Sequence, residues 1–323
     1  MKIELCAHQC EHIDEKDFFG IEVTKCYCFD DLNGASPFTN SMCSTKCPGD
    51  KVEICGGKGV MSTHKLANET FSDVLVLASG AGASGKVKSF DVILPGATLC
   101  SSHDIPDLPI GLERAGWTTV GDYMIAMCGG YSNYKKCYSL DIQEKRWIPH
   151  SNLTQNRSYA TSVTMPNGVY IFGGNNSPTT TDFLPKNSGF WQAGPSVPNG
   201  FKEGCGVQIS KEVLLLIGGY GTEDRLFEFN TKTNNFTIRG DKLQQGRYDH
   251  SCALLNDTIF VAGGWGGKSA SHNVLKSTEL VPLTNESPRF GGDLITARAF
   301  FGLATIGVHH KKAYSFGGYN SSF

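Results

Sequence analysis

The sequence predicts an all-β chain in two parts: a small cysteine-rich module over residues 1–65 and a long array of short strands over residues 74–323, joined by a linker at 66–73. Three observations carry this expectation. Short apolar runs end repeatedly in a double glycine, other residues keep fixed distances from those glycines, and seven of the twelve cysteines fall in the first 55 residues. With 323 residues, the chain is long enough to bury a large core.

Cys6, Cys10, Cys26, Cys28, Cys43, Cys47 and Cys55 make the head dense enough in thiols to read as a disulfide-stapled module of an oxidising compartment. Zinc is the rival, since Cys26-Tyr-Cys28 and Cys43-x3-Cys47 could offer thiolates. The paired CxxC and histidine spacing of a structural zinc site is missing, so no metal is expected. The order Cys6-x3-Cys10, Phe19-Gly20, Cys26-Tyr-Cys28, Cys43-x3-Cys47 and Cys55-Gly-Gly57 resembles the WSC domain. That resemblance implies a secreted or cell-surface protein with a carbohydrate-binding module. The match starts in mid-domain and holds seven cysteines where the family has eight, and Phe29 stands where the family has glycine after Cys28. Phe18, Phe19 and Tyr27 then form a sugar-stacking surface or fill the small core between the disulfides.

In the second part, double glycines follow apolar runs at Gly129-Gly130, Gly173-Gly174, Gly218-Gly219, Gly263-Gly264 and Gly317-Gly318, spaced by 44, 45, 45 and 54 residues. A degenerate copy, Val74 to Gly80, lies 50 before the first. Seventeen residues after the second glycine stand Trp147, Trp191 and Phe236; seventeen before it stand Arg157, Lys202 and Arg247; eleven after it stand Asp91, Asp141 and Asn230. A fixed period of this length marks a repeat array. Apolar runs of four to six with turn signals between them are buried strands, four to a unit.

An apolar strand closed by Gly-Gly, then an acidic residue, then tryptophan resembles the kelch repeat. The resemblance implies a β-propeller with one four-stranded blade per repeat. The expected fold is therefore a six-bladed kelch-type β-propeller, incomplete at its carboxyl end, behind a small disulfide-rich WSC-like module. Unit one begins at its second strand, and unit six ends at Phe323 without its two outer strands. Both ends of the chain are expected to be truncated.

Cys128 precedes a Gly-Gly turn and Cys137 opens the next strand, so a hairpin can place them opposite each other. Cys205 and Cys252 hold similar positions in adjacent units, which makes a bridge between blades the second expected pair; Cys100 has no evident mate. Tyr131, Asn175, Tyr220, Trp265 and Tyr319 follow the double glycines, and a position repeated on every blade lies on one face of the disc. They form a candidate ligand face, or they cap the glycine turns and pack on neighbouring blades. Arg114, Arg157, Lys202, Arg247 and Arg298 recur likewise, as a positive ring or as joints between repeats.

Eight N-x-S/T acceptors, at Asn68, Asn152, Asn156, Asn175, Asn235, Asn256, Asn285 and Asn320, are a second sign of secretion. A net charge of −2 selects neither nucleic acid nor acidic membrane. No apolar run is long enough to span a bilayer, and Met1-Lys-Ile-Glu-Leu-Cys lacks the apolar core of a signal peptide. The expected protein is thus a fragment of a secreted or cell-surface binder of glycans or extracellular proteins, with no cofactor, no nucleic-acid partner and membrane association only through segments outside this sequence. Two rivals stand beside it: an oxidase using a propeller-borne copper site, for which His250, His272, His309 and His310 are the candidate ligands, and an intracellular substrate adaptor. No nucleophile, paired-carboxylate or P-loop pattern occupies a catalytic context, so no enzyme is expected.

Overall fold

The computed structural model describes residues 106–111, 114–120, 124–131, 134–141, 144–267, 273–284, 286–306 and 312–320, together with the backbone of seven strands between residues 18 and 93. The chain divides into two compact units, 1–73 and 74–323. In the first unit, Phe18–Glu22 pairs on one side with Lys25–Phe29 and on the other with Ser62–Lys65, and Lys46–Cys47 pairs with Asp50–Ile54. No described residue of the chain is helical.

The second unit is a series of antiparallel meanders. Four sheets have four strands each: Gly116–Val120, Met124–Cys128, Cys137–Asp141 and Arg146–Pro149; Thr161–Met165, Gly168–Phe172, Thr181–Pro185 and Gln192–Ala193; Cys205–Gln208, Val213–Ile217, Leu226–Asn230 and Asn235–Ile238; Ser251–Leu255, Thr258–Ala262, Thr278–Pro282 and Arg289–Phe290. Two-stranded sheets, Leu75–Gly82 with Gly85–Ile93 and Gly302–Ile306 with Lys312–Phe316, stand before and after them in sequence. From Gly116–Val120 to Gly302–Ile306, the first strands of successive sheets are neighbours, the arrangement of blades about a propeller axis.

The second strand of each sheet explains the continuous apolar runs. In Val213–Ile217, Leu214 and Leu216 pack with Val163, Met165, Tyr170 and Phe172 of the preceding sheet, while Leu215 and Ile217 pack with Ile259, Val261 and Val281 of the following one. Successive side chains of a strand point to opposite faces, so a strand between two cores needs apolar residues at every position. Val169 and Ile171 repeat this against Cys128 and Cys137, with Trp191 and Leu153 in the same cluster. Phe236 joins Phe172 and Phe229 by edge and tilted contacts. Trp147 donates its indole N–H to the Pro106 carbonyl at 2.8 Å. Asp141 and Asn230 serve a local purpose: their side-chain oxygens accept backbone N–H bonds from Glu144 and from Lys232 and Thr233, closing the turn into the fourth strand.

Both glycines of every pair are left-handed, with φ of 76° and 98°, 60° and 91°, 63° and 94°, 59° and 92°, and 63° and 99° in chain order. Two consecutive left-handed residues are cheap only for glycine. The turn aims the second N–H at a carbonyl leading into the next sheet: Gly130 at Arg157, Gly174 at Phe201, Gly219 at Arg247 and Gly264 at Arg298, at 2.8 to 3.0 Å.

Those carbonyls correct the phasing of the basic residues. Arg157, Arg247 and Arg298 share one position, but Phe201, not Lys202, holds it in the third sheet. Arg157 and Arg247 are fully buried. Each guanidinium bonds the carbonyl of its own sheet's first turn glycine, Gly173 or Gly263, and pairs with a buried acid, Asp182 at 2.7 Å or Glu279 at 2.8 Å. In the third sheet, Phe201 meets Phe227 edge to face at the corresponding place. The positive-ring reading fails for these arginines, because a buried, paired guanidinium offers nothing to a ligand.

Cys128 is bonded to Cys137 within the first sheet, and Cys205 to Cys252 between the first strands of the third and fourth. Opening a bridge that closes a longer loop costs more, because it frees more of the unfolded chain. Replacing Cys205 and Cys252 with serine is expected to lower the unfolding free energy by about 4 kcal/mol, and the same change at Cys128 and Cys137 by about 2.5 kcal/mol. Equal losses in urea titrations of the two variants would contradict the loop-length argument.

Candidate binding face

The start of each first strand and the end of each second strand lie on the same face, because the two strands are antiparallel. Backbone bonds fix the residues after the double glycines there: Asn175 N–H donates to Ser158, Tyr220 to Lys202 and Tyr319 to Ala299, at 2.7 to 2.9 Å, and Trp265 pairs with Tyr248. Tyr131, Tyr220 and Tyr319 are each about half exposed, at 51%, 50% and 51%. Asn175 and Trp265 are partly buried. Trp265 stacks on Tyr319 with ring centres 5.7 Å apart, and Tyr220 stands edge-on to Tyr248 at 5.4 Å. Beside Tyr220, Asn175, Asn176, Pro178, Thr179, Asn199 and Lys202 help wall a cleft of about 460 Å³.

Inside this aromatic rim lies an arc that residue types do not reveal. Arg114, Tyr159, Glu203, Asp249 and Phe300 occupy equivalent points just before the first strands, and all five are left-handed, with φ between 50° and 60°. Their backbones form a chain of hydrogen bonds: Tyr159 N–H to Arg114, Glu203 to Tyr159, Asp249 to Glu203 and Phe300 to Asp249, at 2.6 to 3.1 Å. Arg114 thus belongs to this arc and not with the buried arginines. Its guanidinium lies over the ring of Tyr159, the next member of the arc, at 4.4 Å and over that of Phe300, the last member, at 5.4 Å. Lys202 lies over Tyr220 at 4.6 Å and donates to the Asn175 side-chain oxygen at 3.1 Å. Such contacts hold a cation without consuming a carboxylate.

Two carboxyls sit in the middle of the arc. Burial pushes Asp249 up to about 8, helped by the charge of Glu203 and opposed by Arg114 and Lys202. Burial likewise raises Glu203 against the pull of Lys202 and Arg114. Tyr248 is raised by burial first, then by Asp249 and Glu203. The adjacent His250 is 5% exposed, and burial together with Arg247 holds it down at about 3. A neutral imidazole in that position is a core residue at physiological pH. Among the described residues, no three His, Cys, Asp or Glu side chains gather as a metal site. No described helix is long and apolar enough to cross a membrane.

Of the other residues singled out from the sequence, Asn152, Asn156, Asn235 and Asn256 are exposed, and Asn320 is partly buried. Cys6, Cys10, Cys43, Cys55, Cys100, Asn68, Asn285, His272, His309 and His310 lie outside the described residues. Phe18, Phe19, Cys26, Tyr27, Cys28 and Cys47 are described as strand backbone alone.

Residues 1–57 match the WSC domain family. Over 150 residues the chain is 25% identical to Kelch-like protein 24 of Rattus norvegicus and of Homo sapiens, a match that covers 44% of this chain and 25% of each relative. The chain therefore spans about a quarter of the length of these curated relatives. The solved structure of YjhT superposes with a TM-score of 0.60 at 15% identity, covering 72% of this chain and 84% of that one. The supported architecture is a WSC domain followed by a kelch-type propeller. In propeller terms, the double glycines are inter-blade joints, the arc surrounds the axis, and the aromatic rim encircles the arc. A WSC domain and a kelch-type propeller together suggest a binding or scaffold role.

Proposed function

We propose that this chain is part of a secreted or cell-surface protein that recognises glycans or extracellular proteins through one face of a six-bladed propeller, with its WSC domain as a second, carbohydrate-directed module. Binding is reversible, and no bond is made or broken. One observation carries the reading: Tyr131, Tyr220 and Tyr319 recur at one repeat position, half exposed, on the face that also holds the polar arc. Aromatic rings with one apolar face and a hydroxyl supply contact area at low entropic cost, for a sugar ring or a peptide. Two disulfides in the propeller support an oxidising compartment. The six-unit count rests on the period of the glycines and on the two-stranded sheets at 75–93 and 302–316, each half a blade.

The test is a variant with Tyr131, Tyr220, Trp265 and Tyr319 all changed to serine, compared with the wild type on a glycan array and by flow cytometry on cells. A loss of at least tenfold in binding is expected, with the urea midpoint shifted little, because three of the four rings are half in solvent. Unchanged binding to every glycan and cell surface recognised by the wild type would remove this face from the function.

A further inference from the structure

We propose that Asn235 and Asn256 carry N-linked glycans, and that these mark the face of the propeller opposite the aromatic rim. The inference rests on the reading of a secreted or cell-surface protein and adds to it a placement that the acceptor motifs alone do not give.

An acceptor is read as a unit, the asparagine amide together with the hydroxyl two residues on. Five acceptors are described in full, and folding divides them by what becomes of that pair. Asn235-Phe236-Thr237 opens the strand Asn235–Ile238, the outermost of its sheet. Side chains at i and i+2 of a strand share a face, so Asn235 and Thr237 point one way and Phe236 the other. Asn235 and Thr237 are exposed, whereas Phe236 packs against Phe172 and Phe229. The core takes the middle residue and leaves the whole acceptor in solvent.

Asn256 lies at the tip of a tight hairpin. Leu255 pairs with Thr258, so Asn256 and Asp257 alone make the turn, and the Leu283 N–H fixes it by donating to the Asp257 carbonyl at 3.1 Å. Asn256 is left-handed, with φ of 56°, and exposed, and Thr258 is partly exposed.

The other three acceptors lose part of the unit. Asn152 and Asn156 are exposed, but the Thr154 and Ser158 hydroxyls are buried, and the intervening Leu153 and Arg157 are core residues. Asn175 is partly buried, its side-chain oxygen accepts the Lys202 ammonium, and its Ser177 is 8% exposed. These acceptors are complete only before the chain folds. At Asn235 and Asn256 the acceptor survives folding, so occupancy there does not depend on transfer outrunning the fold.

The position of the two follows from strand direction. In an antiparallel meander, the first-to-second and third-to-fourth turns lie at the end opposite the double glycines. Asn256 is in a turn of the first kind, and Asn235 adjoins one of the second. The five-residue strand Thr258–Ala262 separates Asn256 from its glycine turn, about 17 Å. Glycans there leave the rim and the arc clear, and the one at Asn235 lies on a strand edge, where bulk opposes pairing with another chain.

The donor is a lipid-diphosphate-linked oligosaccharide. The asparagine Nδ2 attacks the anomeric carbon, and an N–C bond forms as the C–O bond to the diphosphate breaks. The lipid diphosphate leaves with the bonding pair, and the amide proton passes to a base of the transferase.

The experiment secretes the chain from cultured mammalian cells behind a heterologous leader, then releases glycans enzymatically in heavy-oxygen water and reads the labelled peptides by mass spectrometry. Label is expected at Asn235 and Asn256 in most molecules. N235Q and N256Q should each remove one step of the glycosidase-sensitive mobility shift, and T237A and T258V, which keep the asparagines, should remove the same steps. Binding to cells and glycans should be unchanged by glycan removal. Unlabelled Asn235 or Asn256 in the secreted protein would overturn the assignment, and binding lost with the glycans would overturn their separation from the binding face. A native protein found inside cells and bare of glycans would remove the secreted reading and this one together. Bare Asn235 and Asn256 on a secreted chain modified elsewhere would remove this one alone.

Discussion

Arg247→Ala is expected to lower the unfolding free energy by about 3–5 kcal/mol, with Arg157→Ala close behind. The loss has two sources. Glu279, fully buried, keeps its charge and loses its guanidinium partner, and the carbonyls of Gly263 and Ser277 lose the donor they share. An uncompensated charge at that depth must either stay unpaired or take up a proton, and both are costly. The third four-stranded sheet supplies the control, since Phe201 and Phe227 stand there edge to face at a ring distance of 6.3 Å. The fold therefore accepts an apolar pair at this position, and a double variant with Arg247→Met and Glu279→Leu should recover most of the loss, ending within about 2 kcal/mol of the wild type. Urea titrations at pH 7 compare the three proteins. A double variant as unstable as Arg247→Ala alone would show that hydrogen bonds to the glycine carbonyl, and not the stranded charge, dominate.

Gly219→Ala should cost about 4 kcal/mol, whereas Gly221→Ala, two residues away, should cost about 1 kcal/mol. Both glycines are left-handed, at φ 94° and 90°, so both substitutions pay the same conformational penalty. They differ in what a methyl group meets. At Gly221 there is nothing within 4 Å, whereas at Gly219 a Cβ would lie 2.6 Å from the Lys202 carbonyl oxygen and 3.3 Å from the Gly204 backbone. Relief requires moving the segment that enters the same sheet's first strand, which carries Glu203, away from the turn whose N–H bonds the Arg247 carbonyl of the following sheet. Thermal unfolding of the two single variants is the measurement, and similar melting points would mean that the close approach of the Gly219 turn to the Lys202–Gly204 segment does not require glycine.

The repeat was legible because the Gly-Gly turn demands one residue type. Only glycine combines two left-handed residues with a backbone passing against them, so the pattern survives in five units and its period gives the strands. The paired cysteines were legible for a related reason: opposite places in a hairpin, and similar places in adjacent units, follow from strand order. The phasing of Lys202 misled because the unit ending in Gly218-Gly219 is one residue longer between its basic position and its glycines, and the basic side chain has been replaced there by Phe201. Counting from the glycines lands one residue late, on a residue equivalent to Ser158 and Tyr248.

The axial arc left no signature at all. Arg114, Tyr159, Glu203, Asp249 and Phe300 have in common a backbone conformation and a main-chain bond to the next blade, and neither restricts the side chain in a way that composition or period reports. The two carboxyls could have been noticed in "KEG" and "YDH" just ahead of Cys205 and Cys252. Nothing in the sequence, however, says that those segments meet around one axis. The aromatic rim was more visible, since tyrosine or tryptophan after the glycines recurs four times.

The joints between blades are made by main-chain atoms: a glycine N–H on one side and a carbonyl on the other. A joint of that kind does not record which side chain sits beside it, as Phe201 in the place of an arginine demonstrates. At the joint itself each copy of the unit can therefore drift in sequence without asking its neighbours to change, and the residues it displays at the arc and the rim, outside the packed strands, can be altered one blade at a time. A duplicated segment inherits a working seam from its first generation, leaving selection free to act on the surface it presents. The assembly behaves like a keyboard whose keys share one mounting and carry different letters.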